Sequence, residues 1–257
     1  MSRILLLGSQ NDPAKDMVYN AINPQFEISA VILEKPGSRR ALVKRRIRKL
    51  GLFRVIGQVC FQLLAVNLLN TFSRKRIKEL RSKLQLDTTP VPAEKVRLVN
   101  SINDDEALKL IRDMKPDLVL VKGTRILSER ILNAVDVPFI NMHVGITPFY
   151  RGVHGAYWAL ANNDRKNAGT TIHYVDTGID TGNIIAQQPI EISNRDNFVT
   201  YPLIQIATGI GLLKTHLPSI LQGQKIQVQH SQEGVSRLWS HPTIWYYLKK
   251  RFINGIK

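Results

Sequence analysis

Short, uninterrupted apolar runs alternate with helix-forming segments along most of this 257-residue chain, and that alternation restricts the fold more than any other feature. Arg3–Gly8 is too short, and too closely followed by Asp12, to read as a secretion signal; it reads as a first buried strand. Asp12-Pro13 supplies an N-cap and a first-turn proline for a helix through Ile22, and Phe26–Leu33 is the next strand. Asn103-x-x-Glu106 has the form of a variant capping box, opening a helix that must end before Pro116. Asp117–Val121 and Phe139–Met142 are further strands, with a helix from Ser128 to about Val135 between them. Strands that do not alternate with polar residues are buried on both faces, so the pattern predicts an α/β fold around a mainly parallel sheet. Beyond it a helix is expected over Gly152–Ala161, strands over Thr170–Val175 and Asn183–Ile190, a long helix over Phe198–Gln222 and a short one over His241–Ile253.

Composition matters at two points. Cys60 is the single cysteine, so no internal disulfide can form, which fits a reducing compartment and a cytoplasmic location. The formal net charge of +16 is concentrated: Arg39–Lys83 holds fourteen cations against one acid, Glu79. This stretch breaks the α/β rhythm, reading basic, then apolar over Val55–Phe72, then basic again. A bilayer span needs roughly 20 predominantly apolar residues. Val55–Phe72 falls slightly short and carries Gln58, Gln62, Asn67 and Asn70. The plainest reading is a core-packed helix with solvated basic flanks. A surface helix docking on an anionic membrane, at the inner membrane surface, is a second. Binding of an anionic substrate or nucleic acid is a third.

The residues that carry chemistry lie later. Asn141 and His143 sit two apart at the end of an apolar strand, so they face the same side. In open α/β sheets ligands bind at the carboxyl ends of the strands. Asp176 and Asp180 follow in a glycine-bearing loop between two strands, Val175–Gly182. An amide, an imidazole and a carboxylate together suit acyl transfer without a covalent enzyme intermediate. Asn141 Nδ2 and His143 can donate to a developing oxyanion, and loss of one such donor typically costs ~10²–10³-fold in rate. Asp180 can orient His143 or pass a proton through water, help worth roughly 10²–10⁴-fold. Asp176 can contact a ligand or only stabilise its own turn. Lys122 and Arg125 can hold an anionic ligand or be solvated. His154 and His173 lack a recognised zinc spacing relative to His143 and Asp180, so no metal is expected. Trp239, Trp245, Tyr246 and Tyr247 suit core packing or a homodimer contact better than base stacking.

The region around residues 117–190 resembles the folate-dependent formyltransferase family, which includes glycinamide ribonucleotide, methionyl-tRNA and sugar-nucleotide formyltransferases. Its Asn-x-His pair matches Asn141 and His143, and its catalytic aspartate matches Asp180. Its Pro-x-Tyr-Arg-Gly turn matches Pro148, Tyr150, Arg151 and Gly152, which the resemblance places at the substrate. The resemblance implies that Gly123, Thr124, Arg125, Ile126 and Leu127 embrace the pterin of 10-formyltetrahydrofolate, and that Val175, Asp176 and Asp180 belong to a loop closing over it. It implies a Rossmann-like fold, with a catalytic domain over residues 1–192, a basic helical insertion at about 38–84, and a small helical C-terminal extension over 193–257.

Two departures bear on the acceptor. Gly145-Ile146-Thr147 replaces the serine-bearing stretch usual after the Asn-x-His pair. Ser9-Gln10-Asn11-Asp12 lacks a glycine-rich phosphate loop, and Asp12 would repel phosphate, which argues against glycinamide ribonucleotide. The tail beyond Ile192 reads helical and short beside the barrel that tRNA enzymes append, which argues against initiator tRNA. The expected acceptor is therefore a small primary amine, anionic as a whole, with an amino sugar on a nucleotide preferred. Hydrolysis of 10-formyltetrahydrofolate and a non-catalytic basic adaptor for membrane or nucleic acid are the rivals; the intact Asn141, His143 and Asp180 speak against the adaptor.

Overall fold

A computed structural model describes residues 3–224 and 236–257 of the chain. In chain order the elements begin with β1 (Ile4–Ser9), α1 (Ala14–Ile22), β2 (Ile28–Glu34), α2 (Arg39–Leu50) and α3 (Leu52–Cys60). A π-helical stretch, Phe61–Val66, joins α3 to α4 (Asn67–Phe72); α5 (Arg74–Lys83), β3 (Val96–Val99), α6 (Asp105–Met114) and β4 (Leu118–Lys122) follow. Then come α7 (Glu129–Leu132), β5 (Phe139–His143), β6 (Arg151–Gly152), α8 (Gly155–Ala161), β7 (Gly169–Tyr174), β8 (Ile184–Pro189), α9 (Tyr201–Leu221), β9 (Leu238–Trp239) and α10 (Ile244–Asn254).

The main sheet has seven strands in the order β3-β2-β1-β4-β5-β7-β8. The pairs from β3 through β5 are parallel, whereas β7 and β8 are antiparallel to their neighbours. This is the mainly parallel α/β sheet expected from the apolar runs. Alternate β1 side chains feed two cores: Ile4 and Leu6 pack with α1 and α9, Leu5 and Leu7 with α6. Burial on both faces is why these strands show no polar alternation.

Four details differ from the sequence reading. The division at residue 193 separates nothing structurally, because Leu203, Ile206, Ile210, Leu213, Leu217 and Ile220 of α9 share a core with β1. So α9 covers one face of the sheet and is not an extension; residues 225–235 of the expected extension lie outside the described residues. The cap of α6 is Asp104, whose carboxylate accepts from Ala107 N at 2.9 Å; Asn103 instead accepts from Ser128 N and donates to Ile126 O. The helix after Ser128 is one turn, Glu129–Leu132. Helix α8 starts at Gly155, because Arg151 and Gly152 pair with β9 first.

The core-packed reading of the apolar insertion also needs correction. Leu52–Phe72 is one continuous helical rod, long and apolar enough by length and composition to cross a membrane. Only a narrow stripe of it is covered. Val55, Phe61 and Ala65 are buried, Phe61 in edge contact with Phe198, while Phe53, Leu64, Leu68 and Phe72 are each more than half exposed.

Candidate active site

Strand β5 ends where the parallel strands present their carboxyl ends, and alternation sends Met142 into the core while Asn141 and His143 face the other way. The register brings Asn141 opposite His173 of β7 and beside Val121 of β4. Asp180 arrives from the loop after β7 in the left-handed backbone region, φ 51°, which aspartate tolerates better than most residues. Two contacts hold it there. Gly152 N donates to Asp180 Oδ2 at 2.9 Å, and Arg151 Nη1 donates to the carbonyl of Ile179 at 3.1 Å.

The proton positions follow from the partners. His143 Nε2 lies 2.8 Å from the carbonyl of Tyr150, which can only accept, so Nε2 carries the hydrogen. Nδ1 is then the free base, 3.4 Å from Asp180 Oδ2. Burial pushes the imidazole below its ordinary value, with Asp180 opposing and His173 and Lys122 assisting the depression. His143 is therefore neutral at neutral pH. For Asp180, burial alone would raise the carboxyl. The charge that His143 takes on when protonated, with the Gly152 N–H, outweighs this and brings it down to about 2. With His143 neutral, the fixed donors keep this carboxylate ionised.

Asn141 completes the cluster in a way the sequence reading did not foresee. Its Nδ2 donates to His173 Nε2 at 3.1 Å and to Asp180 Oδ1 at 3.3 Å. His173 Nδ1 in turn donates to the carbonyl of Tyr174 at 2.7 Å, which leaves Nε2 as the acceptor for Asn141. The amide nitrogen expected to serve an oxyanion is engaged within the protein, and serving a substrate requires it to release one partner.

These side chains form one wall of a cavity of about 560 Å³. Gly123, Thr124, Arg125, Ile126 and Leu127 line it, as do Val175, Asp176, Asp180 and Gly152. Asp176 also braces its own turn, accepting from Gly178 N and Thr181 Oγ1. Arg125 is exposed but not free: its backbone N and its Nε both donate to the buried Glu34, at 2.7 and 2.5 Å. Lys122 is buried at the cavity wall. The side chain of Tyr150 is placed elsewhere: it is buried, with its hydroxyl donating to Asp164 at 2.9 Å, and only its backbone carbonyl serves the site. Arg151 acts from behind the loop. Asp12, His154 and His173 join the cavity. Asp12 follows β1, where the sequence reading had it repel phosphate; His154 had no local signal for the cavity, and His173 enters only through the β5–β7 register.

Part of the aromatic tail packs inward, while Trp245 stays exposed. Trp239 stacks on Trp158 at 4.5 Å, and Tyr247 is buried. Among the described residues no group of three His, Cys, Asp or Glu is arranged to hold a metal ion.

Comparison with known proteins gives a consistent picture. The formyl transferase family model matches residues 54–202, which contain Asn141, His143 and Asp180. Methionyl-tRNA formyltransferase of Clostridium beijerinckii is 30% identical over 134 residues, covering 51% of this chain and 42% of that protein. The Kosmotoga olearia enzyme of the same name is 34% identical over 135 residues, covering 51% and 43%. The matched part thus spans less than half the length of these relatives. Among solved structures, a sugar N-formyltransferase from a Shewanella species superposes with a TM-score of 0.55 at 18% identity, over 92% of this chain and 76% of the other. Phosphoribosylglycinamide formyltransferase from Anaplasma phagocytophilum gives 0.56 at 18%, over 90% and 95%. At such identities these two share the fold. With more than half its length matched by the family model, and the matched part carrying the Asn141–His143–Asp180 cluster, this chain belongs to the formyl transferase family.

Proposed function

We propose that this chain moves a formyl group from 10-formyltetrahydrofolate, as co-substrate, to a primary amine, with an amino sugar carried on a nucleotide as the preferred acceptor. The observation that carries the reading is the junction of a neutral His143, an ionised Asp180 and the Asn141 amide on the wall of one cavity. The donor's ring suits this cavity. Gly123, at φ 74°, turns the backbone of residues 123–127 along one wall, and Val121, Leu127 and Val175 supply apolar surface. Bound there, the co-substrate supplies an activated one-carbon acyl group.

The protein's part is proton handling and charge placement. His143 Nδ1 is positioned to accept the proton that the attacking amine must lose, directly or through one water. Asp180 Oδ2, already ionised 3.4 Å away, stabilises the imidazolium that results, which would return the proton to the departing folate nitrogen as its bond to the formyl carbon breaks. The Asn141 Nδ2 hydrogens are the neutral donors nearest to both groups, and one can turn to negative charge developing on the transferred carbonyl oxygen. Donors held in place before the reaction need no reorganisation as the charge develops.

The acceptor reading rests on the site's charge and on the family. Asp12 lines the same cavity, and its carboxylate disfavours a phosphate against that wall. It favours an acceptor that presents its amine there with its phosphates farther out. A cytoplasmic location belongs to this reading. The test is to incubate the protein with 10-formyltetrahydrofolate and a panel of amino-sugar nucleotides, amino acids and glycinamide ribonucleotide, following tetrahydrofolate release and formyl mass on the acceptor. A formylated sugar nucleotide, lost in Asp180→Asn, supports it. Amine-independent release of formate makes the chain a hydrolase, and absence of folate binding overturns the reading.

A further inference from the structure

The apolar residues left bare on the Leu52–Phe72 rod are not scattered. Together with α10 they form one surface. Leu64, Leu68 and Phe72 line a groove of about 1180 Å³ whose other side is Leu248 and Phe252. Farther along, Phe53 stacks on Trp245 of α10 at 4.4 Å. Phe53, Leu64, Leu68, Phe72, Phe252 and Ile253 are each more than half exposed. Two segments far apart in sequence thus contribute exposed apolar side chains to one side of the protein, the kind of surface that marks an interaction site.

The charges around this face have one sign. Helix α2 leads into the rod through Gly51, and it has no buried residue. Among the described residues none of its cations forms an ion pair. Lys75, Arg251 and Lys257 rim the groove itself. The acids nearby are already spent: Glu79 pairs with Arg76 and Arg195, and Asp196 with Arg76.

We propose that this face, formed by α2, the Leu52–Phe72 rod and α10, docks the protein on the surface of an anionic lipid bilayer, with the apolar residues in the acyl boundary and the cations among the headgroups. An apolar face and a polybasic rim are the two signals that peripheral attachment requires together. A second copy of the chain fits poorly, since the paired faces would bring two sets of unpaired cations together. Nucleic acid accounts for the cations but leaves the leucines without a partner. The rod lies along the protein and does not leave it to span. Gln58 donates to the carbonyl of His241 at 2.7 Å and Gln62 to His241 Nδ1 at 2.9 Å, and the Trp245 ring fills the space where a side chain on Gly57 would stand. His241 Nδ1 also receives His154 Nε2 at 2.8 Å, and His154 lines the active-site cavity, so the docking face is joined to the site by one short polar chain.

The test uses the full chain and extruded vesicles, either phosphatidylcholine alone or phosphatidylcholine with phosphatidylglycerol, in a sedimentation assay. Trp245 serves as reporter through quenching by lipids brominated along the acyl chain. The expected result is salt-sensitive binding to the anionic vesicles, at least about tenfold stronger than to neutral ones, with quenching of Trp245. Exchanging Arg39, Arg40, Lys44 and Arg45 for Glu touches no buried side chain, and should abolish that preference while the circular dichroism spectrum is kept. Phe53→Ser with Leu64→Ser should weaken quenching at unchanged salt dependence. Equal binding to both vesicle types, a salt-insensitive dimer without vesicle binding, or binding to nucleic acid alone would each overturn the proposal.

Discussion

His143 gives its Nε2 hydrogen to the backbone carbonyl of Tyr150 at 2.8 Å, and that one bond decides which nitrogen faces the chemistry. Because the tautomer is set from behind, Nδ1 is delivered unprotonated toward Asp180, with no side-chain acid needed to orient the ring. The carbonyl can hold this position because residue 145 has no side chain. A Cβ there would stand 2.3 Å from the Tyr150 oxygen and 2.5 Å from His143 Nε2.

Gly145→Ala should therefore damage catalysis more than folding. The methyl group forces the carbonyl and the ring apart, so the fixed tautomer is lost. The expected outcome is a fall in kcat of roughly 10²-fold, a fraction of general-base help. Overpacking should cost about 1–3 kcal/mol in urea unfolding. An unchanged kcat would show that the Tyr150 bond does not set the tautomer.

Asp180→Asn isolates the charge, because asparagine also tolerates φ 51° and can still meet Gly152 N. We expect kcat to fall by about 10²–10⁴-fold with folate binding retained. The pH profile adds a sign. The active form of His143 is neutral, and burial already holds the ring below its ordinary value, so the acidic limb of kcat/KM lies below that of a free histidine. Asp180 favours the protonated ring, so removing its charge must move the residual limb to lower pH. A shift to higher pH contradicts the arrangement.

Tyr150→Phe separates the backbone of that turn from its side chain. The hydroxyl donates to Asp164 at 2.9 Å and the ring stacks near Trp239 at 6.0 Å, so the side chain braces the fold. The variant should keep kcat/KM within about twofold and lose about 1 kcal/mol of stability in urea unfolding. A large rise in KM with full stability would instead restore the substrate contact inferred from the Pro-x-Tyr-Arg-Gly turn.

How much of this was legible depends on whether the cause was local. The strands of the parallel sheet could be read because burial on both faces leaves apolar runs, and Asn141 and His143 because strand alternation fixes their common side. His173 could not be found that way. Its place beside Asn141 is a matter of antiparallel register between β5 and β7, decided by packing across thirty-two positions of sequence. His154 reaches the cavity through tertiary folding alone. The long α9 was read as a helix, but that it packs on the sheet is a tertiary matter that helix signals do not carry. Pro202 sits in the first turn, where no hydrogen bond is lost, and Pro218 lies in the last turn. A surface helix was one of the readings of this segment, but which face stays bare was not legible, because composition cannot say which side of a helix meets the protein.

The His154–His241 pair makes stability itself depend on pH. The amide nitrogen of Gln62 can only donate, so His241 Nδ1 must accept, and His154 Nε2 must carry the hydrogen that reaches the same atom at 2.8 Å. Protonating His241 Nδ1 would set an N–H against two donors. Burial lowers both rings, His154 to about 3 and His241 to about 4, with each further depressed by a neighbouring positive charge. In the unfolded chain both return to about 6.5. The unfolded state therefore binds more protons below that value, so the stability these rings confer is complete above pH 6.5 and drains away as the pH falls toward 4. Both residues are half-buried, so the summed loss should be on the order of 2–3 kcal/mol, less than full burial would impose. Urea midpoints measured between pH 7.5 and about 4.5 should fall along this slope. His241→Asn keeps an acceptor for Gln62 without a titrating ring, and should start less stable but decline less steeply. Parallel slopes in the two proteins would place the acid sensitivity elsewhere in the chain.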